Sequence, residues 1–89
     1  MRRVSLTHQF EKDVKRAQKR GWEMQKLSDI ILLLEKGDLQ DKAYKDHPLR
    51  GNYAGTRECH LAPDWLLIYQ ADEQQVILLR TGTHSDLFR

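Results

Sequence analysis

Cysteine, proline and long apolar runs are nearly absent from this chain of 89 residues. Its single cysteine, Cys59, has no internal partner for a disulfide. The N-terminus "MRRVSLTHQF" carries two arginines but no apolar stretch after them, unlike a secretory signal. Together these features lead us to expect a protein of the reducing cytosol. The continuous aliphatic run "IILLL" is far too short to cross a bilayer, so no membrane partner is expected. Charge of one sign is also lacking: fifteen Lys+Arg against thirteen Asp+Glu leave a formal net charge of +2. That balance permits a nucleic-acid partner without demanding one. There is no Gly-rich phosphate loop and no Ser-centred nucleophile elbow. His47, His60 and His84 stand 13 and 24 residues apart, without the i, i+3 or i, i+4 spacing of paired ligands, so neither a metal nor another cofactor is expected. Repeats, low-complexity segments and linkers are missing too, which makes residues 1–89 one domain.

What remains is patterned. "RRVSL" is compatible with a short strand, and Thr7 suits the N-cap of a following helix. In "HQFEKDVKRAQKRG" the residues Phe10, Val14 and Ala17 recur at helical spacing, with Lys12, Lys15, Arg16 and Lys19 on the other side and Gly21 as a stop. A second helix over "EMQKLSDIILLLEK" presents Met24, Leu27, Ile30, Ile31 and Leu34, and ends at Gly37. The polar stretch from Gly37 to Tyr53 reads as a surface loop. From there the period becomes two. "TRECHL", "WLLIYQ" and "VILLRTG", separated by "APD" and "ADEQQ", predict an antiparallel three-strand meander with the middle run as the central strand. "THSDLFR" then forms a terminal helical turn capped by Thr83 or Ser85. The fold class is α+β, ordered β-α-α-β-β-β, with an antiparallel sheet packed against a helical hairpin.

Alternation places Thr56, Glu58 and His60 on one face of their strand and Arg57, Cys59 and Leu61 on the other. If Ile77 and Leu79 face the helices, Arg80 emerges on the open face within reach of His60, and Asp64 closes the gap between them. His47 and His84 belong to the same site only if their loops fold over that face. Plainer readings exist for each residue: Asp64 as a turn residue, Trp65 as a core anchor, Arg80 as a partner of Glu58 or Asp86. As a set, three histidines, an aspartate and an arginine suit acid–base chemistry on a phosphodiester. Such chemistry needs a base for a 2′-OH, an acid for the leaving 5′-O and a cation for the phosphorane.

The segments "YKDHPLRGNYAGTRECHLAPDWLLIY" and "LLRTGTHSDLF" closely resemble the YafQ branch of the RelE/ParE toxin superfamily, the toxins of bacterial type II toxin–antitoxin modules. The resemblance covers essentially the whole chain. It implies a RelE-like, microbial-RNase-like sheet and a ribosome-dependent mRNA endonuclease that works without metal and is neutralised by an antitoxin of the DinJ or RelB type. The family's functional histidines fall on His47, His60 and His84, its aspartate on Asp64, its tryptophan on Trp65, its arginine on Arg80 and its terminal aromatic on Phe88. Glu58 stands where family members carry Asp or Glu, and the resemblance implies that Glu58, Trp65 and Phe88 contact the substrate. In this reading His60 or His47 takes the 2′-OH proton, with Asp64 orienting an imidazole. His84 donates to the leaving oxygen, Arg80 neutralises the phosphate, Phe88 stacks on a base, and the basic helix docks on ribosomal RNA. The alternative is a toxin of the ParE kind, which shares the fold but blocks DNA gyrase and has no evident use for the histidines.

Overall fold

The computed structural model describes residues 1–37 and 44–88. Part of the loop expected after Gly37, residues 38–43, lies outside the described residues. The elements are β1 (Arg3–Leu6), α1 (His8–Lys19), α2 (Met24–Lys36), β2 (His47–Pro48), a 3-10 turn (Gly51–Tyr53), β3 (Arg57–Ala62), β4 (Trp65–Ala71), β5 (Gln75–Gly82) and α3 (His84–Leu87). Thr7 does cap α1: its hydroxyl accepts from the Phe10 amide at 3.0 Å. Gly37 ends α2 in the left-handed region at φ 82°, where a side chain would be strained, and its amide returns to the carbonyls of Leu33 and Leu34.

β3, β4 and β5 form the expected antiparallel meander, with β4 central and buried along most of its length. Two strands extend it. The sheet order is β1-β5-β4-β3-β2, and β1 joins β5 in parallel, so the sheet is mixed. Helices α1 and α2 supply Phe10, Ala17, Leu27, Ile30 and Leu34 to one core, against Cys59, Trp65, Leu67, Tyr69, Val76 and Leu78 from the sheet. A smaller cluster of Leu66, Ile68 and Leu87 forms on the opposite face, with Leu49, Tyr53 and Leu79 packed on it.

The strand faces of β5 differ from strict alternation. Ile68 pairs with Arg80 while the next residue, Tyr69, pairs with Leu78, so Leu79 is an extra residue, a β-bulge. Val76 and Leu78, rather than Ile77 and Leu79, therefore face the helices, and the bulge turns Arg80 to the open face. Arg80 is thus placed on the open face as expected, but by the bulge and not by the alternation.

Among the described residues no helix is long and apolar enough to cross a membrane. Cys59 is fully buried, and burial drives its thiol well above the usual range. Only a thiolate attacks alkylating agents. Iodoacetamide at pH 8 should leave the native protein unlabelled over a period in which the urea-unfolded chain is labelled completely, as read by intact mass; equal labelling would contradict this burial.

Candidate active site

Sheet register decides which side chains meet. His47, Glu58, Ile68 and Arg80 are successive partners across β2, β3, β4 and β5 and form one row on the face opposite α1 and α2. His60, Leu66 and Gly82 form the next row. Directly opposed residues project to the same face. His47 and His84 do fold over it, and the rings run in sequence: His47 to His60 at 6.2 Å, His60 to His84 at 6.1 Å, and His84 to Phe88 at 6.3 Å between centroids.

The three histidines are held differently. His47 Nδ1 lies 2.8 Å from the carbonyl of Lys45, a residue at φ 49°, and because a carbonyl only accepts, Nδ1 carries the proton. Its Nε2 faces Glu58 Oε2 at 3.1 Å. The other oxygen of Glu58, a residue 5% exposed, lies 3.7 Å from His60 Nε2. Burial lowers the pKa of His60 from its ordinary 6.5; Glu58 opposes the shift, while Lys45, His47 and His84 add to it. At neutral pH His60 is an uncharged ring able to accept a proton.

His84 opens α3. Its amide and its Nδ1 both donate to Asp64 Oδ1, at 3.0 and 2.7 Å. This leaves Nε2 as the ring nitrogen outside that bond. The same bonds, the backbone one first, hold the Asp64 carboxyl below its usual value. Asp64 thus orients His84 and does not bridge His60 to Arg80.

Side chains behind the sheet fix α3 in place. Thr83 and Asp86 form a capping box. Asp86 also takes two bonds from Arg20, at 2.7 and 3.1 Å, and lies 3.5 Å from Arg16. A Cβ on Gly82 would come within 2.9 Å of Asp86 Oδ2, so glycine there permits the close approach of α3. Arg80 pairs with neither Glu58 nor Asp86. Its Nε and Nη2 donate to Asp13 of α1 at 2.8 and 3.2 Å.

Trp65 is 4% exposed. Its ring lies 5.0 Å from that of Trp22 and its Nε1 donates to Thr81 Oγ1, so it is a core anchor and offers no stacking surface on the open face. Phe88 remains 42% exposed, edge-on to Tyr53 at 5.6 Å. Asp13 and Tyr53 were not anticipated. Asp13 sits in the stripe of Phe10, Val14 and Ala17, where a charged residue was a readable anomaly; Tyr53 lay inside the quoted motif without any signal of its role.

Folding also brings together a ligand set that sequence spacing concealed. Ligand atoms of His47, Glu58 and His60 lie within 4.8 Å of one another, and two imidazoles with a carboxylate would suit a transition metal.

One desolvated imidazole and one imidazole held on a carboxylate, on the open face of an α+β sheet, are groups of the kind that acid–base chemistry uses. Residues 2–89 match the family described as the bacterial toxin of type II toxin–antitoxin system, YafQ. Over 88 residues the chain is 46% identical to the mRNA interferase toxin YafQ of Escherichia coli K12, covering 98% of this chain and 96% of that protein. In structure it resembles YafQ in the E. coli DinJ–YafQ toxin–antitoxin complex, with TM-score 0.92, 44% identity and coverage of 99% and 98% of the two chains. It also resembles a metal-bound toxin from Helicobacter pylori, with TM-score 0.90, 39% identity and coverage of 99% and 100%. The chain belongs to the YafQ family of type II toxin–antitoxin toxins, and its α+β fold is the one the sequence resemblance implied.

The clasp on α3 has a pH signature. Arg20, with help from Thr83, pushes the Asp86 carboxyl far below its ordinary 3.8. A depressed folded-state pKa stabilises fully above the unfolded value and is lost as pH falls through the folded one. The difference in melting temperature between the parent and Asp86→Asn should be constant from about pH 8 to pH 5 and shrink below about pH 4. A difference that persists unchanged to pH 2 would mean that the charge of Asp86 is not what stabilises α3.

Proposed function

We propose that this toxin is an endoribonuclease that cuts mRNA on the ribosome by acid–base catalysis and is neutralised by a cognate antitoxin of the DinJ or RelB type. The observation that carries the reading is the pair His60 and His84, two imidazoles 6.1 Å apart, the first desolvated so that its pKa is lowered and the second oriented by Asp64 through Nδ1 with Nε2 outside that bond. The E. coli relative named an mRNA interferase and the DinJ–YafQ complex support it from outside the chain.

In this reading a ribonucleotide lies across the open face. His60 accepts the 2′-OH proton, with Glu58 beside it to stabilise the imidazolium that forms. The 2′-oxygen forms a bond to phosphorus, Arg80 faces the added negative charge of the phosphorane, and the bond to the 5′-oxygen breaks as His84 Nε2 gives that oxygen a proton. Products are a 2′,3′-cyclic phosphate and a 5′-OH, and proton transfer back through the two rings resets them. Phe88, half-exposed beside His84, offers its ring to a base. A metal ion held by His47, Glu58 and His60 would supply Lewis acidity at the phosphate, but it would also occupy the ring nitrogen that His60 needs as a base.

A net charge of +2 can neutralise few phosphates, so affinity for free RNA is expected to be weak and salt-dependent. Lys12, Lys15 and Lys19, exposed along α1, form the surface for ribosomal RNA, while Arg16 is turned inward to Asp86. An antitoxin segment would order over the cationic face as it binds.

Induction without antitoxin should arrest translation and leave mRNA fragments ending in 2′,3′-cyclic phosphate and 5′-OH. Cleavage should survive a chelator selective for transition metals that leaves ribosomal magnesium in place. Intact mRNA with inhibited gyrase would replace this reading by the gyrase-blocking one.

The acid can be tested by itself. A positioned acid–base group is worth about 10² to 10⁴ in rate. His84→Ala should lower cleavage by about that factor, with ribosome binding nearly unchanged. A substrate with a 5′-thio leaving group should recover much of the loss, because sulfur needs no proton to depart. Rescue of His60→Ala but not of His84→Ala would reverse the two roles.

A further inference from the structure

Among the described residues, the proposed mechanism leaves the buried carboxylate of Asp13 without a task. Asp13 lies at the middle of α1 with its side chain wholly shielded from solvent. Its Oδ2 accepts from Arg80 Nε at 2.8 Å and from the Thr81 amide at 3.1 Å, and its Oδ1 accepts from Arg80 Nη2 at 3.2 Å. Arg16 Nη1 stands 3.8 Å away. One carboxylate therefore holds both the backbone and the side chain of the segment just after the β5 bulge.

We propose that Asp13 is a positioning residue that orients the Arg80 guanidinium toward the reacting phosphate. The inference rests on the nuclease reading of the same face. A guanidinium has five N–H donors in a fixed fork. Asp13 takes one edge, through Nε and Nη2, so the rest of the fork, which stands beside the Tyr53 hydroxyl, is presented toward the open face where an anion would meet it. The orientation matters because Arg80 reaches the open face only through the bulge at Leu79, which sets its direction but leaves the long side chain free to turn. A side chain already fixed loses less conformational entropy when the phosphate arrives. A charge preset toward the developing phosphorane acts most in the transition state, so its loss lowers the rate constant more than the binding of RNA.

The test compares the parent, Asp13→Asn, Arg80→Ala and the double variant in single-turnover cleavage of mRNA on programmed ribosomes, with thermal melts to verify folding. Asparagine keeps the shape and an acceptor for the Thr81 amide while removing the charge. Misplacement of a catalytic group by about 1 Å can cost about 10²-fold. Asp13→Asn should lower the rate constant about 10- to 100-fold, change the half-saturating concentration by less than about threefold, and have no further effect once Arg80 is alanine. Equal losses in both backgrounds overturn the proposal, since Asp13 would then act through the fold at large. Cleavage by Arg80→Ala at the parent rate also overturns it.

A second measurement needs no variant. In ¹⁵N NMR of the parent, the Arg80 Nε–H should exchange with water at least tenfold more slowly than that of the exposed Arg50. Equal exchange rates overturn the proposal even if Asp13→Asn fails to fold. A parent that shows the slow exchange yet cuts no RNA removes the nuclease reading, and with it the catalytic role of the clamp, while leaving the clamp itself established.

Discussion

Among the described residues, no strand lies beside the outer edge of β5 beyond Leu78, because β1 ends at Leu6, its last partner. Side chains and one amide at the start of α1 take over where the ladder stops. The Thr7 amide donates to the Leu78 carbonyl at 3.1 Å, the Thr7 hydroxyl to the Leu79 carbonyl at 2.8 Å, and Asp13 accepts from the Thr81 amide. A buried donor left unmet costs about 1–3 kcal/mol, and removing one partner of a buried ion pair about 3–5 kcal/mol. The first two turns of α1 are therefore bound to β5 by polar contacts as well as by the apolar stripe of Phe10 and Ala17. A helix held only by apolar packing could slide; one that also meets named backbone groups has one register.

That register propagates to the site. With α1 fixed, Arg16 and Arg20 stand beside α3 and engage Asp86, which closes the capping box with Thr83. His84 follows Thr83 directly, so the ring is placed by contacts made behind it as well as by Asp64 in front. The bulge at Leu79 is the other half of the device. It lets Val76 and Leu78 enter the main core while Arg80, two residues on from Leu78, reaches the opposite face, which strict alternation forbids.

Much of this was readable in the sequence because it is local. Thr7 before Phe10, Gly37 after the aliphatic run and the three period-two segments each announce an element through residues close in the chain. The sheet's edges were not readable: β1 and β5 pair across some seventy residues, and a parallel partner leaves no local mark. The bulge was hidden because "VILLRTG" alternates equally well in either parity. The family resemblance marked the positions His47, His60, Asp64, Arg80 and His84 but not which pairs with which. Partner choice is a matter of tertiary distance, and it moved Asp64 to His84, Arg80 to Asp13, and Glu58 to the space between two imidazoles. Trp65 shows the converse. A motif position suggested a contact with substrate, and the packing puts that ring in the core.

Three copies of one residue type acquire three behaviours here through their neighbours alone. His47 is fixed by a carbonyl on one nitrogen and a carboxyl group on the other. His60 is desolvated, which favours the uncharged ring, and the carboxylate that would restore its charge is already shared with His47. His84 meets an exposed carboxylate through Nδ1, which orients the ring and leaves Nε2 outside that bond. The environments are thus ordered along the face: carbonyl, carboxyl, buried ring, capped ring, aromatic. Reversing the roles proposed for His60 and His84 would require exchanging the environments of β3 and α3 as well as the residues. The assignment of His84 as donor consequently rests on how α3 is anchored, and the anchor runs through Asp86, Arg20 and Arg16 to the same helix whose Asp13 holds Arg80.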